Sequence, residues 1–533
     1  MKYDYIIVGG GSSGCIAANR LVIDHGKRVL LLEQGAVDKS MLLKMPAATF
    51  KMLFEGSPYV KQYASEPQLR LNGRVVRVPQ GNVMGGGSSV NAMAYTRGSR
   101  QDYEQWNTVL GQPQWGWDVL LPYFKRQEGN QRFDNDAHGA EGPLKVSDPR
   151  YRVEAADIFV RTMQRVGLPF RSDFNAGDLY GVGYLQTSTW RGERSSASTA
   201  FIKPILDNPL LTVITGARVN KILFDADRAV GVEYQLKQSI HEVHAGAEIL
   251  LAAGAFATPK LLMLSGIGPA EHLNQHGIDV RVDLPGVGEN LQDHNTALLS
   301  MTTNGAYGYY GEDRGWPAVR NALRYFAFHD GPISSNGAET MAFVNLQDPL
   351  SDPDLQIYGV GVMWPMEDEE NVTHGFTLMA NLVKPLSRGT VRLRSANPSD
   401  DPLINPNWLS DPSDCSRLVE ALKYLRSIAA TEPLAGIIRK EIQPGIEVQT
   451  DEALLEYLKR TTESNYHPVG TCKMGPDHDP MSVLHGDLRV RGVTGLRVID
   501  ASMMPTIISA NTNAPVMAVA DRAITLMMSS NPA

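Results

Sequence analysis

A short glycine run near the start of the chain has the residue types and spacing needed to hold a phosphate group. The run Gly9-Gly10-Gly11-Ser12-Ser13-Gly14 follows the apolar stretch Ile6-Ile7-Val8 and precedes a segment that predicts a helix over Cys15 to His25. Gly9 allows a sharp turn, Gly11 lets the backbone approach a pyrophosphate, and Gly14 lets the helix pack closely against the strand. The helix N-terminus then presents free N–H groups and a partial positive charge to the phosphates.

An acidic residue follows at the distance that a dinucleotide site requires. A second predicted strand, Arg28 to Leu32, leads into Glu33, which lies nineteen residues beyond Gly14. Its carboxylate can accept hydrogen bonds from a ribose and would repel a 2′-phosphate, so NADP is disfavoured. This pattern alone leaves FAD and NAD as alternatives.

A second glycine cluster lies at residues 81–91 and includes Gly85-Gly86-Gly87-Ser88 and Asn91. An ordinary NAD dehydrogenase does not explain this cluster. Its glycines let backbone amides approach a flat ring with polar edges, while Ser and Asn side chains supply hydrogen bonds. A third segment, residues 248–268, predicts a buried strand, a turn and a helix rich in Leu and Met.

Taken together, these segments resemble the signature motifs of the glucose–methanol–choline (GMC) family of flavin oxidoreductases. The resemblance covers essentially the whole chain and continues through residues 284–294, 387–391 and 498–505. Within the family, the pattern is most similar to bacterial choline, sorbose and hydroxymethylfurfural-type alcohol dehydrogenases and oxidases.

The resemblance implies that the cofactor is FAD. Val90 occupies the position at which some relatives attach the flavin covalently through a histidine, so we expect non-covalent FAD here. The residues that the resemblance assigns to FAD are Gly9, Gly11, Ser12, Ser13, Gly14, Glu33, Gly85, Gly86, Ser88, Asn91, Ala92, Val219, Asp500, Ala501, Asn513 and Pro515.

Oxidation of an alcohol to a carbonyl needs a base for the hydroxyl proton and an acceptor for the hydride, here the flavin N5. Imidazole has an ordinary pKa suited to a base near neutral pH. Among twelve histidines, His467 lies in the stretch Asn465 to Gly475, which resembles the family's catalytic-histidine motif. Asn511 matches the second catalytic position, where its NH₂ group could stabilise a developing alkoxide. The alternative for Asn511 is a structural turn residue.

Two further residues are candidates for substrate contact. Glu339 aligns with an acidic residue that faces the substrate cation in choline-oxidising relatives, although a structural carboxylate is the alternative. Tyr466 is a candidate pocket aromatic, together with Tyr358 and Trp364, and core packing is the alternative for each. Because Gly337 and Ala338 are small and offer no aromatic face for a quaternary ammonium, we expect a neutral primary or secondary alcohol before choline.

Several functional alternatives stay open at this point. A choline dehydrogenase and a lyase on the same flavin scaffold are the catalytic ones, and a non-catalytic flavoprotein is a third. The electron acceptor could be oxygen or a quinone-type compound, and the chain could be a monomer or a homodimer.

The elements that must position these residues predict an α/β protein. A chain of 533 residues with 43% hydrophobic and 20% charged residues can bury two large cores. We expect a Rossmann-like FAD-binding domain (residues 1–155, 196–298 and 462–533) interwoven with an α+β substrate-binding domain (156–195 and 299–461). The second should contain a mostly antiparallel sheet, because the runs Thr340 to Asn345, Leu355 to Val360 and Phe376 to Val383 alternate like strands.

Composition excludes several classes of function. A formal charge of −8 without a basic run argues against nucleic acid. The three cysteines are far apart and no H-E-x-x-H occurs, so neither disulfides nor a metal site is expected. No signal peptide precedes the first strand and no stretch is apolar enough to span a membrane, so we expect a soluble cytoplasmic protein, with peripheral membrane contact possible.

Overall fold

The structure is a computed structural model that describes residues 3–54, 56–349, 351–364 and 372–530. Its helices over these residues are α1 Ser12–Ile23, α2 Ala48–Phe54, α3 Arg100–Leu110, α4 Trp117–Gln127, α5 Glu154–Arg165, α6 Gly254–Leu264, α7 Ala270–Gln275, α8 Gly315–Phe328, α9 Pro412–Ala429, α10 Asp451–Thr461 and α11 Asn513–Ser530.

The strands over the same residues are β1 Tyr3–Val8, β2 Val29–Glu33, β3 Val60–Ala64, β4 Arg77–Gly81, β5 Ala94–Tyr95, β6 Glu128–Asn130, β7 Leu144–Val146, β8 Gly181–Tyr184, β9 Gln186–Thr187, β10 Thr189–Trp190, β11 Glu193–Arg194, β12 Leu211–Thr215, β13 Ala217–Asp225, β14 Arg228–Leu236, β15 Ser239–Leu251, β16 Ile267–Gly268, β17 Val282–Asp283, β18 Asn295–Thr303, β19 Thr340–Val344, β20 Leu355–Val360, β21 Gly375–Leu382, β22 Thr390–Arg392, β23 Leu403–Asn405, β24 Ile438–Gln443 and β25 Leu496–Val498.

The first large sheet combines a parallel part with an antiparallel part. Five strands run parallel in the order β12-β2-β1-β15-β25. The long strand β15 pairs in parallel with β1 through its second half, while its first half pairs antiparallel with β14, which in turn pairs with β13. Strand β2, Val-Leu-Leu-Leu-Glu, is buried along its whole length, as expected for a parallel strand covered on both faces.

The second large sheet is antiparallel at every pairing among the described residues, in the order β24-β18-β21-β20-β19-β8. Because side chains alternate along a strand, Leu299, Ile357 and Leu378 point to one face and pack into a core shared with α5, α9 and α10. Their sequence neighbours point to the other face. There Leu298 and Met379 line a cavity that the first sheet also borders.

This architecture confirms the predicted mixed α/β class, while the Rossmann-like FAD-binding domain stays a prediction at this point. The three strand-like runs lie in β19, β20 and β21, with ends that differ by at most one residue from those expected. Strand β8, from the segment 156–195, pairs with β19 in the second sheet. The exact boundaries of the two expected domains stay a prediction.

The described residues contain neither a membrane-spanning helix nor a metal-binding cluster. None of the helices there combines the length and apolarity that a membrane crossing requires. No cluster of three or more His, Cys, Asp or Glu side chains there could hold a metal ion.

Candidate active site

Two glycine segments pack backbone against backbone at the carboxyl end of β1. A Cβ atom added to Gly14 would collide with the carbonyl oxygen of Gly9, and one added to Gly86 would lie 2.7 Å from the Cα of Gly11. By contrast, a Cβ on Gly11 would find no atom closer than 3.8 Å. Gly14 and Gly86 therefore let protein segments meet, whereas Gly11 leaves room beside a cavity.

That cavity has a volume of about 420 Å³ and is bordered by both glycine segments and by late parts of the chain. The structure brings most of the predicted site residues to its wall. The predicted residues that line it are Gly9, Gly11, Ser12, Ser13, Glu33, Gly86, Asn91, Ala92, Val219, Tyr466, His467, Asp500, Ala501, Asn511 and Asn513. The predicted residues that do not line it are Gly14, Gly85, Ser88, Glu339 and Pro515.

Most of the residues outside the lining have a structural partner. Gly85 has a φ of +87° and donates its N–H to the carbonyl oxygen of Gly10 (2.7 Å). The hydroxyl group of Ser88 donates to the carbonyl oxygen of Gly85 (2.6 Å). Pro515 is buried in the first turn of α11. These residues support the segments that form the cavity wall and do not line the cavity themselves.

The two predicted carboxylates on the cavity wall are held by backbone donors. Glu33 accepts hydrogen bonds from the N–H groups of Gly10 (2.7 Å) and Gly35 (2.6 Å), and burial raises the pKa of its carboxyl group. Asp500 accepts from the N–H groups of Gly254 (2.8 Å) and Ser502 (2.9 Å), and burial raises its pKa as well. Both side chains are therefore fixed in direction before any ligand binds.

His467 and Asn511 meet at the cavity wall although 44 residues separate them. The Nδ2 atom of Asn511 lies 3.3 Å from the Nε2 atom of His467. Burial lowers the pKa of the His467 imidazole to about 4, because a charged ring would lose its hydration there. The ring is therefore neutral near pH 7, which is the state that a base requires.

A second histidine decides which nitrogen of His467 carries the proton. Nε2 of the buried His294 lies 3.1 Å from the carbonyl oxygen of Ile508, which can only accept, so this nitrogen carries the hydrogen. Burial also holds the pKa of His294 well below its ordinary value, so its Nδ1 is an acceptor. Nδ1 of His467 lies 3.0 Å away and must donate. The free electron pair of His467 is therefore on Nε2, beside Asn511.

The side chain of Asn511 is oriented by three donors. Its Oδ1 atom accepts from Tyr358 Oη (3.0 Å), Thr96 Oγ1 (3.1 Å) and Gln356 Nε2 (3.4 Å). Its NH₂ group is thereby directed at His467 Nε2. Two residues later, Asn513 Oδ1 accepts a hydrogen bond from Ser12 Oγ (2.7 Å), which joins α11 to the first glycine run.

A known protein family matches both the early and the late parts of the chain that form this site. The family model described as GMC oxidoreductase matches residues 3–296 with its N-terminal part and residues 385–520 with its C-terminal part. The chain belongs to the GMC oxidoreductase family.

Relatives of this GMC oxidoreductase align over nearly their full length. An alcohol dehydrogenase (acceptor) of Pseudomonas putida is 39% identical, covering 99% of this chain and 96% of the relative. An oxygen-dependent choline dehydrogenase of Sinorhizobium fredii is 38% identical, covering 100% and 96%. The crystal structure of pyridoxine 4-oxidase from Mesorbium loti superposes with a TM-score of 0.90 at 29% identity, covering 98% of this chain and 99% of that one.

These findings confirm the family, the enzyme class and the cofactor predicted from the sequence. GMC oxidoreductases use FAD, and this chain is an FAD-dependent oxidoreductase of the alcohol or choline dehydrogenase and oxidase type. The relatives above are named as dehydrogenases and an oxidase, so the lyase alternative has no support.

Asp293 and His294 are functional candidates that the sequence prediction missed. The Oδ1 atom of Asp293 accepts from the backbone N–H groups of both His467 and His294 (each 2.9 Å), and Oδ2 accepts from the Ser464 hydroxyl. Burial raises the pKa of Asp293 to about 7. The sequence contained a signal for these two residues, since an acid and an imidazole stand side by side at the end of the motif 284–294. Polar groups in a buried stretch need hydrogen-bond partners, so this pair indicated a polar network.

Glu339, a predicted substrate residue, does not line the cavity. Its buried Oε1 atom accepts hydrogen bonds from the hydroxyl groups of Tyr309 and Ser335, and burial raises the pKa of its carboxyl group. The neighbouring residue Ala338 lines the cavity, whereas Glu339, which directly precedes β19, does not. These contacts favour the structural alternative for Glu339, and its contact with substrate stays a prediction.

The remaining wall of the cavity near Asn511 is mostly apolar. The register of β18, β21 and β20 places Leu298 beside Met379 and Met379 beside Tyr358. Trp364 stacks edge to face on Phe50 with ring centroids 5.8 Å apart, and both rings line the cavity. Tyr466, Tyr358 and Trp364 are thus at the wall, where they can contact a small organic molecule.

Proposed function

We propose that this GMC oxidoreductase oxidises a neutral primary or secondary alcohol to the carbonyl compound, with His467 as the base. The observation that carries the proposal is the 3.3 Å approach of Asn511 Nδ2 to His467 Nε2 on the wall of the cavity. The mainly apolar wall formed by Leu298, Met379 and Trp364 supports a neutral substrate.

We assign the FAD site to the Rossmann-like arrangement of the first sheet. The strand order and the glycine run after β1 are those of a dinucleotide site, where the α1 N-terminus faces a pyrophosphate. The open space beside Gly11 fits a ligand in van der Waals contact with the backbone, and the Glu33 carboxylate on the wall fits a ribose hydroxyl. When bound, FAD supplies the acceptor for the hydride that leaves the alcohol.

The FAD should be non-covalent, because Val90 offers no nucleophile on this wall. Acid precipitation of the purified holoenzyme is therefore expected to release all of the flavin into the supernatant. Flavin retained on the precipitated polypeptide would contradict this.

The chain's own groups handle the hydroxyl proton. A substrate hydroxyl that enters between Asn511 and His467 can donate its proton to the electron pair on Nε2. The Asn511 NH₂ group and the newly protonated ring then donate hydrogen bonds to the substrate oxygen and stabilise its negative charge. His294 and Asp293 act as positioning residues, since they fix the tautomer and the backbone of His467.

The test is the rate of flavin reduction by alcohol in the absence of oxygen. His467→Ala should slow this step by about 10² to 10⁴-fold while the FAD content stays unchanged. The matched control is His478→Ala, because His478 is exposed and lies outside the cavity lining. An unchanged reduction rate in His467→Ala would remove the imidazole from the mechanism.

Choline is the second candidate substrate, and one observation favours it. Glu463 also lines the cavity, and burial raises the pKa of its carboxyl group, so a bound cation would stabilise its charged form. Choline dehydrogenation is also the named activity of the Sinorhizobium relative. An anaerobic screen should show flavin bleaching by neutral alcohols before choline, and oxygen or a quinone added afterwards identifies the acceptor. If choline bleached the flavin preferentially, and Glu463→Gln abolished that preference, choline would rank above a neutral alcohol as the substrate.

A further inference from the structure

Helix α8 carries an apolar stripe that no part of the described chain covers. Trp316, Val319, Leu323 and Phe326 follow one another at intervals of three, four and three residues, so they lie on one side of the helix. We call these four residues the α8 stripe. Their exposed fractions are 72%, 49%, 64% and 61%, respectively. Apolar side chains at helical spacing normally face a core, whereas these four face outwards.

The opposite side of α8 attaches the helix firmly to the protein. Asn321 and Tyr325 are its buried residues. The Tyr325 hydroxyl donates to the carbonyl oxygen of Gly192 (3.2 Å), and Asn321 Nδ2 donates to the carbonyl oxygen of Glu312 (3.0 Å). Because these contacts fix the rotation of the helix, the α8 stripe cannot turn inwards without breaking them.

The apolar surface continues beyond the C-terminal end of α8. Phe328 is 69% exposed, and Trp190 of the neighbouring β10–β11 hairpin is also exposed. The two are connected through the loop contact between His329 and Gly192. Together with the α8 stripe they form a surface with aromatic rings at both ends. An exposed apolar surface of this kind marks an interaction site.

Positive charge surrounds this surface although the whole chain has a formal charge of −8. Arg314, Arg320 and Arg324 belong to α8 or directly precede it, and further cations contact its C-terminal end or the hairpin. The seven cations are Lys44, Lys145, Arg150, Arg191, Arg314, Arg320 and Arg324, and the four carboxylates paired among them are Glu193, Glu312, Asp313 and Asp330. Among these contacting groups, cations outnumber carboxylates by seven to four.

We propose that the α8 stripe docks onto the surface of an anionic phospholipid membrane. Trp and Phe side chains enter the boundary between headgroups and acyl chains, while arginines beside them reach back to the phosphates. The local positive charge complements anionic headgroups. Attachment would be peripheral, since no described helix can cross the bilayer. A second copy of the chain fits less well, because it would bring two positive surfaces together.

One segment of chain connects the α8 stripe to the cavity wall. Asn336 lies eight residues after Phe328 and lines the cavity, and the connecting segment is held by a hydrogen bond from the Ala47 N–H to the carbonyl oxygen of Ile333 (3.1 Å). An apolar alcohol dissolved in the membrane would then be concentrated near the site. This consequence rests on the proposed function, whereas the docking itself does not.

The experiment is vesicle flotation with the full-length holoenzyme. Phosphatidylcholine vesicles with and without phosphatidylglycerol are compared at low and at high sodium chloride. The test variant is Trp316→Ser/Leu323→Ser/Phe326→Ser. The matched control is Leu69→Ser/Leu206→Ser/Ile446→Ser, which removes three exposed apolar side chains elsewhere. FAD absorbance and flavin reduction by a dissolved alcohol are measured for each protein, so that loss of folding or of the proposed activity is seen separately.

We expect the unaltered protein to float with anionic vesicles. The test variant should lose at least about tenfold in the bound-to-free ratio, and the control should lose nothing. Arg320→Gln/Arg324→Gln should weaken the preference for phosphatidylglycerol and the effect of salt. Absence of vesicle binding by the unaltered protein, or equal loss in the control, would overturn the proposal. So would a solution dimer that only the test variant dissociates, since a second copy would then be the occupant.

Discussion

The buried state of His467 predicts an unusual pH dependence of alcohol oxidation. The proposed base can accept a proton only while its imidazole is neutral, and burial lowers the pKa of that ring to about 4. A base with a low pKa becomes protonated only when the pH falls close to that pKa. The rate of flavin reduction by a saturating neutral alcohol should therefore stay nearly constant from about pH 8 to about pH 5 and fall only below that.

The size of the effect follows from the two protonation curves. At about pH 5, a histidine with a pKa of about 4 is about nine-tenths neutral, whereas one with the ordinary pKa of about 6.5 is only about 3% neutral. The two cases differ roughly 30-fold in the concentration of active base. A difference of this size lies far outside the scatter of a rate measurement.

The assay is a stopped-flow pH jump in which flavin absorbance is followed through one anaerobic turnover. The jump is short enough to precede acid unfolding, and the circular dichroism of a parallel sample checks that the protein remains folded. A rate that already falls tenfold per pH unit below about pH 6.5 would refute the reasoning, because the ring would then be solvated as in a free peptide.

Four further predictions concern the residues around this pair. His294→Phe removes the acceptor for His467 Nδ1–H and should slow flavin reduction about 5- to 150-fold; an unchanged rate would contradict the tautomer assignment. Asp293→Ala leaves the backbone N–H groups of His294 and His467 without an acceptor and should lower the free energy of unfolding by about 2–4 kcal/mol, while Asp293→Asn keeps Oδ1 and should cost less than about 1 kcal/mol; equal losses in denaturant titrations would disprove this. Gly11→Ala should weaken FAD binding with little loss of stability, whereas Gly14→Ala should destabilise the fold. Flavin titration measures the first effect and thermal melting measures the second. Glu339→Gln should leave stability and the ratio of kcat/KM for choline over a neutral alcohol unchanged, whereas a choline-selective loss would restore a substrate contact.

Much of the fold could be predicted because its determinants are local. The glycine run, the apolar strand before it and Glu33 each have a fixed place in a dinucleotide site, so their spacing specifies their meeting point. The alternating runs that became β19, β20 and β21 were readable for the same reason, since a period of two is a property of a single strand. The pairing of Leu298 with Met379 across two strands was not readable, because register depends on the sheet as a whole.

The sequence identified the candidate site residues that lie in recognisable motifs. It did not indicate the protonation or tautomer of those residues, because these depend on contacts in the folded protein. His467 and Asn511 were singled out by resemblance, but nothing in either motif indicates that His294, distant by 173 residues, sets the tautomer. The direction of the Glu339 side chain was not readable from the sequence for a related reason. A one-residue difference along a strand moves a side chain to the other face, and alignment with relatives does not resolve that step.

The hydrogen bond from Ser12 to Asn513 has a consequence for how the protein is made. The glycine run leaves the ribosome early in translation, whereas Asn511 and Asn513 are synthesised about 500 residues later. A nascent chain that has formed β1 and α1 still lacks the side of the proposed FAD site that α11 provides. On the proposed assignment, FAD would make all of its contacts only after α11 has been synthesised, and a chain that ends before α11 would lack that side of the site.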